Sequence, residues 1–231
     1  KTIRDIQKDG FRIKDKFDMY SKNRNDSGSD MAFSLGKAII ELSKIVKKSK
    51  PDIIISGFDI GANLAVAIVG AHMNIPVVHL EAGEVTGTID EPIRHAISKF
   101  AHFHFTTNSF ATKRLIKMGE DKQHIYTVGN PSLDGIKQIQ KIPIKQLEKE
   151  FNLDFQKPFV IIMQHTVTSE LNQLEIHITQ TLNAIKDLGI QSLIIHGNAD
   201  AGSKKISSLL KKSKITQFET IPFEKYINLL K

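Results

Sequence analysis

The chain has 231 residues, of which 40% are apolar and 25% charged, and these fractions are ordinary for a soluble globular protein. It contains no cysteine, which excludes disulfides and cysteine-ligated zinc or iron–sulfur sites. No apolar run approaches the ~18 residues of a membrane helix, and no signal peptide is visible. We therefore expect a cytoplasmic protein with no membrane partner.

The formal net charge of +7 comes mainly from lysines, as in "KKISSLLKKSK". These lysines follow helix-like segments, are interleaved with acids and have no exposed aromatic cluster beside them. This pattern favours a solvated lysine-rich surface over a nucleic-acid groove. We expect no nucleic-acid partner, while a mildly positive cleft for an anionic small molecule stays open.

The ends of the chain fall inside regular patterns. Lys1 lies within a polar, helix-like run, and the final "YINLLK" interrupts an amphipathic pattern that has no cap. We interpret the chain as an internal piece of a longer protein.

Strand and helix patterns alternate through the first half. The predicted strands are "PDIIIS" (51–56), "IPVVHLEAG" (75–83), "HFHFTT" and "IYTVGNP". Helical spacing between them predicts a buried helix in "LAVAIVGAHMN", a helix from Asp90 to Phe100, and one in "NSFATKRLIKMG" with Asn108 or Ser109 as its cap. This rhythm indicates βαβ units and a parallel sheet.

The alternation resumes after a looser stretch that contains a charged helix, "IKQLEKEFN". Strands are predicted in "FVIIMQH" (159–165) and "SLIIHGN" (192–198), with helices from about Ser169 to Leu188 and from about Ala201. We predict an α/β protein of two Rossmann-like, parallel-sheet halves, residues 1–138 and 158–231, joined by a linker at 139–157. Such halves bind ligands in the cleft between them, at the carboxyl ends of the strands.

Several polar residues fall at these predicted strand ends. They are Asp59 after the first strand, His79 and Glu81 at the tip of the next, and His165, His196 and Asn198 in the second half. A lone histidine at a strand end is more often structural than catalytic. Polar groups at equivalent ends of both halves favour a site instead.

The stretch after the second strand is the most heavily charged part of this set. Asp90 and Glu91 are favourable in the first turn of a helix because they complement its dipole. Glu81 has no such explanation, since a carboxylate that ends a buried strand must be paired or poised, and Arg94 is its expected partner. Carboxylates whose pKa values are held apart by their surroundings suit proton abstraction and return.

Cofactor motifs are missing from the sequence. The turn from Gly57 to Gly61 has neither the GK[ST] of a P-loop nor the GxGxxG of a dinucleotide fold. His102 and His104 share a strand face, but no third ligand stands at a suitable spacing, so packing explains them better than a metal does. We expect neither a metal nor an organic cofactor.

The segment "MNIPVVHLEAGEVTGTIDEPIRHAISKFAHFHF" closely resembles the hydrolysing UDP-N-acetylglucosamine 2-epimerases of sialic and related nonulosonic acid biosynthesis. Further blocks that resemble the family follow in the family's order, among them "LIKMGEDKQHIYTVGNPSLDGI", "MQHTVTSE", "NADAGSKKI" and "TIPFEKYINLL". The "GEVTGTIDE" loop resembles the hydrolysing branch in particular. The resemblance implies a GT-B-like fold with a UDP-sugar between the halves.

The resemblance also implies a reaction and its residues. A base removes the proton at sugar C2, UDP leaves by anti elimination to give a glycal, and water adds to release free N-acetylmannosamine. Asp59, Glu81 and Asp90 match the family's catalytic acids, and His165 matches the histidine that contacts the leaving UDP. Matches to substrate-binding or loop-fixing positions are Glu91, Arg94, Asn198 and Ile221. The resemblance further implies a homo-oligomer, dimer or tetramer, as the full-length protein.

One departure bears on the substrate. Many relatives have Asp–Arg where this chain has Asp59–Ile60, which favours a modified sugar such as a 4-acetamido-6-deoxy analogue. Three readings stay open: the hydrolysing epimerase, a non-hydrolysing epimerase or glycosyltransferase of the same fold, and a non-catalytic module that binds nucleotide-sugars or nucleic acid.

Overall fold

The computed structural model describes residues 2–20, 27–197 and 200–231. These form two compact α/β units, and the main division between them lies between Gly129 and Asn130. The α/β class that the sequence predicts, with a parallel sheet in each half, is confirmed. None of the helices within the described ranges is both long and apolar enough to cross a membrane.

The first unit carries a four-stranded parallel sheet in the order β1-β2-β3-β4. Each strand is followed by a helix or a helical turn, so the crossovers are of the βαβ type. Its elements are α1 (Thr2–Lys8), α2 (Gly28–Ser49), β1 (Ile54–Gly57), α3 (Gly61–His72), β2 (Val77–Leu80), α4 (Asp90–Phe100), β3 (Phe103–Thr106), α5 (Ser109–Lys117) and β4 (Ile125–Thr127), with a 3₁₀ turn at Lys122–His124.

The core of this unit lies where α3 and α4 pack on the sheet. Ala67 of α3, Val77 of β2 and Ile97 of α4 are fully buried together. The approach of α3 to β2 is close enough that a Cβ atom on Gly70 would lie 2.5 Å from Val77 Cγ2. Small residues on α3 therefore let this helix sit directly on the strand that leads to Glu81.

The second unit carries a three-stranded parallel sheet in the order β5-β6-β7. Its elements are α6 (Pro131–Gln138), α7 (Ile144–Phe151), β5 (Phe159–Ile162), α8 (Leu174–Leu188), β6 (Gln191–Ile195), α9 (Ser203–Leu210), β7 (Thr216–Phe218) and α10 (Phe223–Leu229). Adjacent residues of β6 enter separate buried clusters, Ile194 with α8 and α9 and Leu193 with α7 and α10. Both faces of the sheet are thus covered, which explains its continuous apolar strands.

The stretch 139–157, which the sequence analysis assigns to a linker, contributes to the core of the second unit. Leu147, Phe151 and Leu153 are buried in one cluster with Leu193 and Leu229. The segment is rich in charge, a composition that favours a linker, but Leu147 and Phe151 fall on one face of α7 and are buried. The unit boundary at Gly129 likewise precedes the predicted one at residue 138.

The cap of α5 gives a stability prediction. The Asn108 side chain accepts hydrogen bonds from Phe110 N (2.9 Å) and Ala111 N (3.0 Å) and donates to Glu84 Oε1 (2.6 Å). We expect Asn108→Ala to lower the free energy of unfolding by about 1–2 kcal/mol, the usual cost of a lost cap. The matched control is Asn130→Ala, since Asn130 caps exposed α6 by accepting from Ser132 N, its one side-chain cap bond among the described residues. Equal losses in the two variants, measured by urea unfolding, would contradict an added contribution from Glu84.

Candidate active site

The carboxyl edge of the first sheet gathers the acids that the sequence singles out. Asp59 comes two residues after β1, and Glu81 directly follows β2. These strands are neighbours, with Gly57 paired to Leu80, so the two acids leave the sheet side by side. The carboxyl edge of a parallel sheet is where open α/β folds bind ligands.

Strained backbone marks the same edge. Phe58 and Glu81 both adopt left-handed conformations, with φ of 64° and 57°. That region is unfavourable for residues with a bulky side chain, at a cost of roughly 1–3 kcal/mol each. Such strain tends to persist at functional sites, and here it turns the chain out of the sheet at the two points where the acids stand.

Arg94 is the ionic partner of Asp59. The two side chains form a short ion pair between Nη2 and Oδ2, and the arginine is only 6% exposed. Arg94 Nε and Nη1 are buried and have no hydrogen-bond partner among the described residues. The ion pair with Asp59 replaces the pair with Glu81 that was expected from the sequence, because the guanidinium on α4 reaches the β1–α3 turn.

Glu81 occupies a different environment from Asp59. Burial raises the pKa of the Glu81 carboxyl above its usual 4.5, and the charges of Asp59 and Glu84 add to the rise, while Arg94 opposes it. A carboxyl with a raised pKa is a stronger base when it is ionised, so it is better suited to accept and return a proton. The edge therefore pairs one ion-paired acid with one acid whose ionisation is disfavoured.

The loop from Gly83 to Asp90 is fastened at both ends. Glu91 accepts hydrogen bonds from the backbone N–H groups of Thr86 and Gly87, both at 3.0 Å, and these bonds lower the pKa of the Glu91 carboxyl. Asp90 accepts a hydrogen bond from Thr88 Oγ1 at 3.0 Å. No hydrogen bond or ion pair between described residues joins Asp90 to Asp59 or Glu81. These bonds give Glu91 a loop-holding role. The resemblance instead places Glu91 among the substrate-binding residues.

We expect Glu91→Gln to loosen this loop. The pKa of Glu91 is lowered on folding, so its anchoring is present above pH 4.5 and is lost as pH falls through the lowered value. An amide acceptor makes hydrogen bonds roughly half as strong as a carboxylate does. Amide hydrogen exchange of Thr86 and Gly87 should be faster in the variant at pH 7, with β3 as the internal control. Unchanged exchange would contradict the anchoring role.

The base of the loop is held by residues that the sequence analysis did not assign to the site. Glu84 Oε1 accepts hydrogen bonds from Thr107 Oγ1 and Asn108 Nδ2, both just past β3. Arg114 of α5 donates to the Gly83 carbonyl. A Cβ atom on Gly83 would lie 2.6 Å from the Ala111 carbonyl oxygen, so only glycine fits there. The sequence feature that could have identified Thr107 and Asn108 as site residues is their position at the end of a predicted strand.

In the second unit, two of the predicted residues line one cavity. His165 and Ile221 border a space of about 380 Å³ at the carboxyl edge of the sheet, together with His196, Gly197 and Tyr226. The turns after β5 and β6 meet closely, because a Cβ atom on Gly197 would lie 3.2 Å from His165 Nδ1. His196 is held by Gln217, with 3.1 Å between Nε2 and Oε1. Asn198 lies outside the described residues.

The strand histidines have local partners. His102 Nδ1 accepts a hydrogen bond from Val77 N at 3.1 Å. His104 is 2% exposed, and its Nε2 lies 3.4 Å from Glu120 Oε2. Within the described ranges, no group of three His, Asp or Glu residues is arranged to hold a metal ion.

Comparison with known proteins assigns this chain to a family. The sequence profile of a family described as UDP-N-acetylglucosamine 2-epimerase matches residues 1–231. The chain is 32% identical to the UDP-N,N'-diacetylbacillosamine 2-epimerase (hydrolyzing) of Legionella pneumophila, over 91% of this chain and 55% of that protein. It is 33% identical to the UDP-N-acetylglucosamine 2-epimerase of Neisseria meningitidis, over 88% of this chain and 55% of that protein.

A solved structure shares the fold. The crystal structure of a UDP-GlcNAc 2-epimerase from Neisseria meningitidis bound to UDP-GlcNAc superposes with a TM-score of 0.79 at 17% identity, over 99% of this chain and 64% of that chain. The chain thus spans little more than half the length of these two curated relatives.

Proposed function

This chain belongs to the UDP-N-acetylglucosamine 2-epimerase family, and we propose that the protein containing it is a hydrolysing 2-epimerase. It converts UDP-N-acetylglucosamine, or a 4-acetamido-6-deoxy analogue, to the free 2-epimeric sugar and UDP. The similarity to a relative named as hydrolysing supports this branch.

The observation that carries the proposal is the pair of acids at one sheet edge. Asp59 is held by buried Arg94, while burial raises the pKa of Glu81. Inversion at C2 needs one group that removes a proton and a second group that returns one from the other face. The adjacent strand ends supply two carboxyl groups for these roles.

The reaction balances without a redox step. One carboxylate acts as a base and removes the proton at C2. The C–H electrons form the C1=C2 bond, and the bond from C1 to the UDP oxygen breaks. Water then adds its hydroxyl to C1 of the glycal. A proton is delivered to C2 on the face opposite to the one from which the first proton was removed. We assign these proton transfers to Asp59 and Glu81, with Asp90, oriented by Thr88, as the third acid.

The second unit holds the nucleotide in this proposal. His165 supports the charge that develops on the departing diphosphate. Ile221 borders the same cavity, and Asn198 completes the nucleotide-binding set that the resemblance implies.

Apolar side chains beside Asp59 bear on the sugar. Phe58 is 48% exposed and Ile60 is 55% exposed, so the acid is flanked by apolar surface. Such surface is better matched by a C6 methyl group than by a C6 hydroxyl group, because a hydroxyl loses its water contacts there. This favours the 4-acetamido-6-deoxy substrate.

The test is the identity of the product. The full-length protein should convert one of the two UDP-sugars to free 2-epimeric sugar and UDP, followed by proton NMR, with faster turnover of the 4-acetamido-6-deoxy sugar. Accumulation of an epimeric UDP-sugar without free sugar would contradict the hydrolysing branch. That outcome would favour the second candidate, a non-hydrolysing epimerase, because the name of the Neisseria relative specifies neither branch.

A further inference from the structure

A buried histidine stands directly behind the acid pair. His79 lies in β2, two residues before Glu81, and its side chain is fully buried. Neither the family resemblance nor the mechanism above gives this residue a role. Burying an imidazole costs free energy unless its ring nitrogens are hydrogen-bonded.

One ring nitrogen of His79 is linked to α4. His79 Nδ1 lies 3.0 Å from Ser98 Oγ, and Ser98 Oγ donates to the Arg94 carbonyl oxygen at 3.2 Å. The serine hydroxyl has a single proton, so while it donates to Arg94 it must accept from His79. In the arrangement where Ser98 donates to Arg94, the imidazole proton lies on Nδ1.

The His79 ring also lies near the turn that carries Asp59. His79 Nε2 has no partner of hydrogen-bond geometry among the described residues, although the Phe58 backbone is near enough to raise the pKa of the ring. His79 thus lies between the two chain segments that supply the members of the Asp59–Arg94 ion pair.

The ring stays neutral over the working pH range. Burial, reinforced by His104, Arg94 and His95, lowers the pKa of His79 to about 3. Protonation therefore contributes nothing to its role near neutral pH, and the ring cannot itself act as the acid or base of the reaction there.

We propose that His79 is a positioning residue, which through Ser98 fixes the α4 backbone at Arg94 and so sets the Asp59–Arg94 pair against Glu81. This inference rests on the proposed epimerase function for its kinetic consequences. Its structural content is a defined linkage from β2 to α4.

The test compares His79→Leu, His79→Asn and Ser98→Ala in the full-length protein. His79→Leu and Ser98→Ala should each lower kcat roughly 10- to 100-fold, because small misplacements of catalytic groups have effects of that size. UDP affinity should not change, and the double variant should lose no more than either single one. His79→Asn, which retains a donor near the Nδ1 position, should recover part of the rate.

Ser56→Ala is the matched control. Ser56 is equally buried, and its Oγ donates to the Asn63 carbonyl oxygen at 2.9 Å, but no hydrogen bond within the described part of the chain joins it to Arg94. We expect a kcat close to that of the unchanged protein. Equal losses from Ser56→Ala and Ser98→Ala would indicate general core damage and overturn the proposal.

A second readout does not depend on turnover. Arg94 lowers the pKa of Glu81, against burial, Asp59 and Glu84, so a displaced Arg94 should let the Glu81 pKa rise in Ser98→Ala. Carboxyl carbon-13 NMR titration measures this. An unchanged Glu81 pKa overturns the positioning role whatever the kcat. If the unchanged protein turns over neither UDP-sugar, the proposed function fails, and the titration still decides the role of His79.

Discussion

Replacing Asp59 by Asn is expected to lower kcat by about 10²- to 10⁴-fold, the usual contribution of a general acid or base. The substitution keeps the shape of the side chain and removes its charge. UDP affinity should be retained, because the nucleotide is assigned to residues of the second unit.

The same variant should also be less stable. Arg94 is 6% exposed and would lose its anionic partner. A buried donor left imperfectly paired costs about 1–3 kcal/mol. The loss should appear in urea unfolding of the unliganded protein.

The control for this variant is Asp52→Asn. Asp52 is exposed and precedes β1, at the opposite end of the strand from Asp59. Both kcat and stability should stay close to those of the unchanged protein. Normal turnover by Asp59→Asn would remove Asp59 from the reaction.

Replacing Glu81 by Gln separates activity from stability. Turnover should again fall by about 10²- to 10⁴-fold. The raised pKa means that the folded state disfavours the ionised carboxylate, so the ionised side chain destabilises the fold as pH rises above 4.5. A neutral amide removes this cost. We therefore expect an unchanged or higher melting temperature at pH 7, with the difference disappearing below pH 4.5.

Glu41→Gln serves as the control for Glu81→Gln. Glu41 pairs with Lys44 on the surface of α2, where a salt bridge contributes little. Neither kcat nor melting temperature should change measurably. A Glu81→Gln variant that turns over normally, or that melts well below the unchanged protein at pH 7, would contradict the environment assigned to Glu81.

Local patterns in the sequence anticipated local structure well. The helix predicted from Asp90 to Phe100 is α4 with the same bounds, because its apolar residues recur at helical spacing and acids occupy its first turn. Asn108 caps α5 as one of the two predicted candidates. Both features depend on residues within a few positions of each other.

Elements with weak periodicity were missed or misplaced. α6 has eight residues with only Leu133 and Ile136 at helical apolar spacing, and β7 has only three residues. The helix expected from about Ser169 begins at Leu174. Two turns precede it: Glu170 N donates to the Val167 carbonyl, and Gln173 N donates to the Glu170 carbonyl.

Long-range pairing explains the main difference at the site. The sequence places Arg94 near Glu81, thirteen positions away, whereas its ion pair is with Asp59, thirty-five positions away. Choosing between these acids requires the register of β1 against β2 and the position of α4 on the sheet. The linkage behind the site joins two pairs of residues that are close in sequence. His79 stands two residues before Glu81, and Ser98 stands one helical turn after Arg94.

The most direct test of the central claim is turnover of the preferred UDP-sugar by the full-length protein in deuterated water, followed by proton NMR. Proton abstraction and return at C2 predicts free sugar that carries deuterium at C2 and appears together with UDP. Free sugar that retains its C2 proton would contradict the elimination chemistry assigned to Asp59 and Glu81.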